Sequence, residues 1–211
     1  GNNDKKMKLG TVGVPNYGVE IKLADDGEIL TKSPAVFKGY FKDEEATREV
    51  IDSEGWLHTG DVGIFDGEFL KIVDRKKDII ITSGGKNVSP QEIENKIKIS
   101  PFIKDALVIG DKRKFLSVLV SIEFETVSNW ALRKNITHTT YRDLSEKKEV
   151  KDLVWGEILK ANAKTSSLEI RKFKMLPKEL DHEDGETTAT QKIKKNVVME
   201  KFSDLIEEMY S

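Results

Sequence analysis

Apolar and polar residues alternate from Val19 to Ala24 (VEIKLA), the period of a half-buried strand. DDGEIL then supplies a turn and a return strand, which predicts a hairpin. KDEEATREVI (42–51) has helical spacing, with Asp43 placed as its N-cap. VGIFDGEFLKIVD is the clearest hairpin of the chain, and Asp66-Gly67 suits a tight turn in which both residues take positive φ. A loop of those two residues pairs Phe65 with Glu68 and Asp61 with Ile72. Asp61 and Arg75 then lie toward the open end of this hairpin, although pairing alone does not put them on one face. Residues 8–74 therefore read as β-rich.

From Asp78 the pattern changes. DIIIT is a short apolar strand, and SGG forces a turn. SPQE opens a helix: Ser89 as cap, Pro90 at the first helical position, Glu92 completing a capping box. Ile93 and Ile97 share its inner face, while Glu92–Lys96 and Glu94–Lys98 are spaced to pair outside. DALVIG and FLSVLVSI are two strands joined by the charged turn DKRK, and TVSNWALRK is helical. Ser145 to Ala163 reads as one longer amphipathic helix with Val150, Leu153, Val154 and Ile158 on its apolar face. IRKFKMLP is a further strand, DHEDGETTAT a polar loop with no core residues. The tail from Lys192 has helical spacing through Ile193, Val197, Phe202, Leu205 and Ile206. The boundary between the β-rich part and the α+β part falls at or just after DRKKD.

Composition narrows the function. Of 211 residues, 37% are apolar and 34% charged, enough for one or two domains with real cores. Thirty-five basic against 37 acidic residues leave a net charge of −2, which argues against a general nucleic-acid binder or anionic-membrane binder. Cysteine is absent, so disulfides, thiolate nucleophiles and cysteine-bound zinc are excluded. His58, His138 and His182 lack metal-ligand spacing, and no transition metal is expected. No apolar run is long enough to span a bilayer. GNNDKKMKLG has no apolar core and so is no signal peptide; it looks like a cut boundary rather than a natural start.

Four stretches offer chemistry. Asp61 follows Thr59-Gly60, where backbone approaches a ligand closely, and a carboxylate accepts two hydrogen bonds from a vicinal diol; alone, the tetrapeptide HTGD reads more simply as a turn. Arg75 in DRKKD offers a planar fork to a phosphate or ribose oxygen, whereas Lys76 and Lys77 read as solvated. SGGK (Ser83, Gly84, Gly85, Lys86) lacks the spacing of a P-loop, and its glycines set a turn that leaves room for a thin ligand chain. GETTATQKIKK ends in Lys192, Lys194 and Lys195; a moving loop with a lysine delivers charge to a transition state and withdraws it, and the bland alternative is a linker.

Together these segments say more than any one does. GEILTKSPAVFKGYFKDEEAT, GWLHTGDVG, DRKKDIIITSGGKNVSPQEIE and TATQKIKK stand in the order and spacing of the adenylate-forming superfamily. The chain resembles the C-terminal part of an AMP-forming acyl-CoA synthetase, and its motif style is similar to the long-chain fatty acyl branch. The resemblance implies an α+β fold: residues 1–76 as the end of a large N-terminal domain, a β-rich subdomain, and 77–211 as a small lid with a mixed sheet flanked by helices. It implies that ATP and a carboxylic acid give an acyl-adenylate, which CoA converts to a thioester. By motif position Asp61 and Arg75 bind the nucleotide, Lys77 is the hinge, Ser83, Gly84, Gly85 and Lys86 line the pantetheine path, and Lys192 is the catalytic lysine. The usual asparagine-glycine-lysine of the last motif is Thr190-Gln191-Lys192 here, with Lys194 a weaker alternative, and Ile81 stands where some members carry a second functional lysine. The phosphate loop, the adenine site, the acyl pocket and the Mg²⁺ site belong to an N-terminal part this sequence lacks, so the chain alone is expected to be inactive. Implied partners are fatty acid, ATP, CoA and that N-terminal domain, with no nucleic acid. A cytoplasmic location is expected, with peripheral membrane contact left open. The rivals are a ligase for an aromatic or amino acid, a non-catalytic module that kept the fold, and an interaction protein using the helical tail.

Overall fold

β1 (Glu20–Leu23) and β2 (Glu28–Lys32) form the first antiparallel hairpin where the alternation predicts it, in a computed structural model that describes residues 1, 2, 6–163 and 169–211. α1 (Glu44–Val50) starts at Asp43, whose Oδ1 accepts from the Ala46 N–H at 3.0 Å. β3 (Leu57–Asp66) and β4 (Phe69–Arg75) complete a four-stranded antiparallel sheet in the order β1-β2-β3-β4.

The β3–β4 register differs from the expected one. The turn is Gly67-Glu68, with positive φ at Gly67 (65°) and not at Glu68, so Asp66 pairs with Phe69 and Phe65 with Leu70. That is the pattern of a turn with glycine first, not of one with two left-handed residues. A bulge follows: β4 carries one extra residue between the pairs Val62–Asp74 and Gly63–Ile72. Without it, the Asp66–Phe69 register would set Asp61 against Asp74; with it, Asp61 faces Arg75. Gly63, beside the bulge, is there for space: a Cβ would lie 2.7 Å from Ile29 Cδ1 and 3.0 Å from the Lys71 carbonyl.

The chain divides into two compact units, Gly1–Ile79 and Ile80–Ser211. In the second, β5 (Ile80–Ile81) and β6 (Asn87–Val88) form a short pair that leads into α2 (Pro90–Ile97). Ser89 caps α2 as predicted, accepting from the Glu92 N–H at 3.2 Å. β7 (Ile103–Ile109) and β8 (Leu116–Ile122) are antiparallel. After α3 (Phe124–Arg133), α4 (Tyr141–Glu146) and α5 (Lys148–Asn162), β9 (Ile170–Met175) lies parallel to β8. α6 (Lys195–Lys201) and α7 (Ser203–Tyr210) follow. The result is a mixed sheet β7-β8-β9 with two cores. Val108, Val118 and Val120 pack with Val127 of α3 and Val150, Val154 and Ile158 of α5. Leu107 and Leu119 pack with Val198, Phe202, Ile206 and Met209 of the tail. All seven residues of β8 are buried, as a central strand covered by helices on both faces requires.

Four local expectations need correction. Ser145–Ala163 is not one helix: the chain breaks at Lys147, which is extended (φ −60°, ψ 136°). Leu144 and Val150 are both fully buried, yet a continuous helix would set positions so spaced about 120° apart around its axis; the break lets both reach one core. In the tail Val198, not Val197, is buried, because the helix restarts at Phe202. The polar loop 181–190 does contribute to the interior, with Glu186 fully buried and Thr187 nearly so. Glu94 points inward rather than pairing outside with Lys98. Among the described residues no helix is long and apolar enough to cross a membrane.

Candidate functional site

In the first unit, Gly60 takes φ 70° and turns β3 at Thr59-Gly60-Asp61. Thr59 Oγ1 donates to the Ile29 carbonyl (2.7 Å) and accepts from the Asp61 N–H (3.1 Å). Below the turn lies Glu28, a buried carboxylate that sequence reasoning did not single out. It accepts from the Gly60 N–H (2.9 Å), His58 Nδ1 (3.1 Å) and Lys76 Nζ (2.9 Å). Burial pushes the Glu28 carboxyl up, but Lys76, His58 and Gly60 outweigh it and hold the group below the usual carboxylate range. Lys76, expected to be solvated, is instead bound to Asp26 (2.7 Å) and Glu28, which raise its pKa.

Above this pinned turn, Arg75 Nε meets Asp61 Oδ1 at 3.1 Å, and its Nη1 reaches the Thr59 carbonyl at 3.4 Å. The structure thus brings together the two residues that the sequence placed only at the same end of a hairpin. The Arg75 side chain is 56% exposed. An ion pair of that kind is worth about 0–1 kcal/mol, so a diol could take over the Asp61 oxygens at little cost.

Lys77 lies exposed in a three-residue 3₁₀ turn, Lys76–Asp78, next to the boundary between the units. Ser83, Gly84, Gly85 and Lys86 form an exposed loop between β5 and β6. Thr82 closes it: its Oγ1 accepts from the Lys86 N–H (3.2 Å) and its carbonyl from the Gly85 N–H (2.9 Å). The Ser83 N–H donates to the Arg113 carbonyl at 3.0 Å, which braces the loop on the DKRK turn. The two glycines differ. Gly85 has φ 74°, whereas a Cβ at Gly84 would meet only Thr82 Oγ1, at 4.0 Å. Gly85→Ala is therefore expected to cost about 1–2 kcal/mol, and Gly84→Ala to stay within about 0.5 kcal/mol, in urea unfolding followed by tryptophan fluorescence. Equal costs would show that both glycines serve backbone conformation.

Lys192 sits exposed at the tip of a small hairpin. Thr187 pairs with Ile193, the Thr188 N–H donates to the Lys192 carbonyl (2.8 Å), and the Lys192 N–H to Thr188 Oγ1 (3.0 Å). Gln191, in the place of the usual glycine, takes φ 60°, so the turn keeps the left-handed geometry that glycine would adopt without strain. Lys194 is exposed beside it.

Glu186 anchors the hairpin from below. Its fully buried carboxylate lies 2.7 Å from Lys201 Nζ and 3.0 Å from Lys178 Nζ, and it accepts from the Asp181 N–H at 3.1 Å. Asp181, Asp184 and Glu186 bring carboxylate oxygens within 4.8 Å of one another, a grouping that could hold a cation. The chain supplies that cation itself: Lys178 Nζ contacts all three. Burial lowers the Lys178 pKa, but the three carboxylates outweigh it and raise it, and Lys178 in turn holds Asp184 below the usual range. His138 contacts Ser128 (2.8 Å), and His182 Nδ1 the Thr187 carbonyl (3.0 Å); both serve local structure.

Known proteins share this architecture. Residues 77–211 match the family described as AMP-binding enzyme C-terminal domain. A long-chain-fatty-acid–CoA ligase of Mycobacterium tuberculosis is 40% identical over 97% of this chain and 34% of its own length. A peroxisomal long chain acyl-CoA synthetase of Arabidopsis thaliana is 35% identical over 96% of the chain and 32% of its own. The chain thus spans about a third of the length of these relatives. Among solved structures, the adenylation domain of a carboxylate reductase from Mycobacterium chelonae superposes with a TM-score of 0.73 at 21% identity, over 97% of this chain and 34% of that one. O-succinylbenzoate coenzyme A synthetase from Bacillus subtilis, in complex with AMP, gives 0.59 at 27% identity, over 90% and 35%.

Proposed function

The chain belongs to the AMP-binding enzyme family, whose C-terminal domain it carries, and from that premise we propose that it is the C-terminal third of a ligase that joins a long-chain fatty acid to CoA. The observation that carries this reading is the pair of half-buried Asp61 and exposed Arg75 over a backbone turn pinned by Glu28, in a chain 40% identical to a protein of that name. A buried, fixed turn below and an exchangeable carboxylate–guanidinium pair above suit the two hydroxyls of a ribose.

The chemistry has two steps. A fatty carboxylate oxygen attacks the α-phosphorus of ATP, and pyrophosphate leaves. The CoA sulfur then attacks the acyl carbon, AMP leaves with the electron pair of the broken bond, and the thiol proton passes to solvent. The first step gathers negative charge where carboxylate meets phosphate, and the Lys192 ammonium supplies the positive charge. The second needs the thiol to approach where that lysine stood. A turn of residues 77–211 about Lys77 would exchange the Lys192 hairpin for the Ser83–Lys86 loop, whose exposed glycines leave a passage for pantetheine. Mg²⁺ accompanies the ATP phosphates and is assigned to the remainder of the ligase; the Asp181–Asp184–Glu186 cluster does not suit it, since Lys178 fills its centre.

The first unit supports its place at the end of a larger domain. Among its described residues the buried apolar side chains are Ile29, Leu30 and Leu70, a small core for the unit Gly1–Ile79, while Phe41, Ile64 and Ile72 stand 89%, 50% and 45% exposed.

The complete ligase should exchange pyrophosphate into ATP in the presence of palmitate and release palmitoyl-CoA, whereas the 211-residue chain alone should form none. Turnover by the chain alone would refute the division of labour. The Bacillus subtilis structure is named for an aromatic acid, which makes such acids the second reading; exchange with aromatic acids and not with palmitate would establish it. A complete protein inert toward every carboxylate would be a binding module.

A further inference from the structure

Lys195 opens α6, the position where a positive charge is least favoured by the helix dipole, and no side chain caps that helix. Local preference therefore does not place it; a tertiary partner does. Its Nζ lies 3.0 and 3.1 Å from the two oxygens of Glu94, 101 residues earlier on the inner face of α2. The Glu94 side chain is only 10% exposed, and its Oε1 also accepts from the Val108 N–H of β7 at 3.0 Å. A carboxylate so buried demands a charged partner, and a long, otherwise mobile lysine side chain is fixed by it.

The position of this pair matters more than its strength. Lys195 is three residues past Lys192, directly after the hairpin that presents it. The opposite strand of that hairpin is held by Glu186, whose carbonyl accepts from the Lys194 N–H at 2.8 Å. The hairpin thus has a buried carboxylate anchor on each side, Glu186 before it and Glu94 after it. Glu94 also lies on the helix that follows the Ser83–Lys86 loop. We infer that Lys195 is a positioning residue: through Glu94 it fixes the hairpin carrying Lys192 to α2, so that the lysine and the Ser83–Lys86 loop are held as one body. Catalytic relevance of this fixing rests on the reading of Lys192 above; the fixing itself does not.

Two measurements test it. In the 211-residue chain, amide hydrogen exchange at Thr188, Gln191 and Lys194 should quicken about tenfold in Lys195→Gln and stay within about twofold in Lys195→Arg, since an opening of the hairpin sets these rates. Glu94→Gln keeps an acceptor for Val108 and loses the charge; it should match Lys195→Gln, and the double variant should be no worse than either. In the complete ligase, Lys195→Gln should slow palmitoyl-adenylate formation about tenfold with KM for palmitate unchanged, and leave thioester formation from preformed palmitoyl-adenylate within about twofold. Unchanged exchange rates, additive losses or equal slowing of both half-reactions would overturn the inference. A wild-type ligase without palmitate-dependent exchange would instead refute the proposed function, and hydrogen exchange would still decide whether Lys195 holds the hairpin.

Discussion

Lys192→Ala in the complete ligase is expected to slow acyl-adenylate formation by about 10²–10³-fold, the usual loss when one preorganised donor is removed from a developing anion. The side chain is exposed and the hairpin is held by backbone bonds and by Thr188, so the variant should keep its stability within about 0.5 kcal/mol. Thioester formation from preformed acyl-adenylate should continue near its normal rate, because the proposed mechanism gives the lysine no part in that step. Lys194→Ala is the control within the motif and should lose little. Rapid-quench measurement of the two half-reactions separates these outcomes; an unchanged first step in Lys192→Ala, with a large loss in Lys194→Ala, would move the assignment to Lys194.

Glu186→Ala should carry the largest stability cost of any single change near the hairpin, about 3 kcal/mol, since it takes the fully buried carboxylate from Lys178 and Lys201, leaves them only the exposed Asp181 and Asp184, and strips the Asp181 N–H of its acceptor. Full burial of the carboxylate argues for the upper part of the usual range, and the partial exposure of Lys178 and Lys201 lowers it. Urea unfolding followed at Trp130 and Trp155, both within residues 80–211, would report it; a loss below about 1 kcal/mol would show that the lysines resolvate freely. The same cluster predicts a pH response. The Asp184 N–H and Lys178 hold Asp181 below the ordinary aspartate range, and Lys178 and Lys201 hold Asp184 there. A carboxyl depressed by folding stabilises the fold above its unfolded value, and that contribution drains away as pH falls through the folded value. Thermal stability should accordingly be flat from neutrality to about pH 4 and fall below it.

The elements were largely legible because alternation and capping are local. VEIKLA, FLSVLVSI and SPQE each carry their own signal over a few residues, and the structure contains the strand or cap that each predicts. The candidate site was legible in part. Motif order names Asp61, Arg75 and Lys192, but Asp61 comes to face Arg75 through a bulge in β4, which no residue type announces. The supporting carboxylates were missed. Helical spacing offers Glu94 a partner on the solvent face, Lys98, four residues on, whereas its real partner is 101 residues away. Glu28 is likewise 48 residues from Lys76. A buried acid looks like a surface acid in sequence whenever its partner comes from another element. Lys147 shows the converse limit: periodicity from 145 to 163 fits one helix, and only the common core of Leu144 and Val150 requires the break.

The tail that buries Leu107 and Leu119 has a consequence for biosynthesis. One face of the sheet is covered by α3 and α5, but the other waits for Val198, Phe202, Ile206 and Met209. A ribosome making this unit therefore carries a nascent chain with a bare apolar sheet face until Met209 has been translated, and folding must be completed late. Nonsense mutations within α7 should yield a polypeptide that chaperones retain and proteases clear, even though Asp61, Arg75, Lys192 and every other residue assigned a role in catalysis would already have been made.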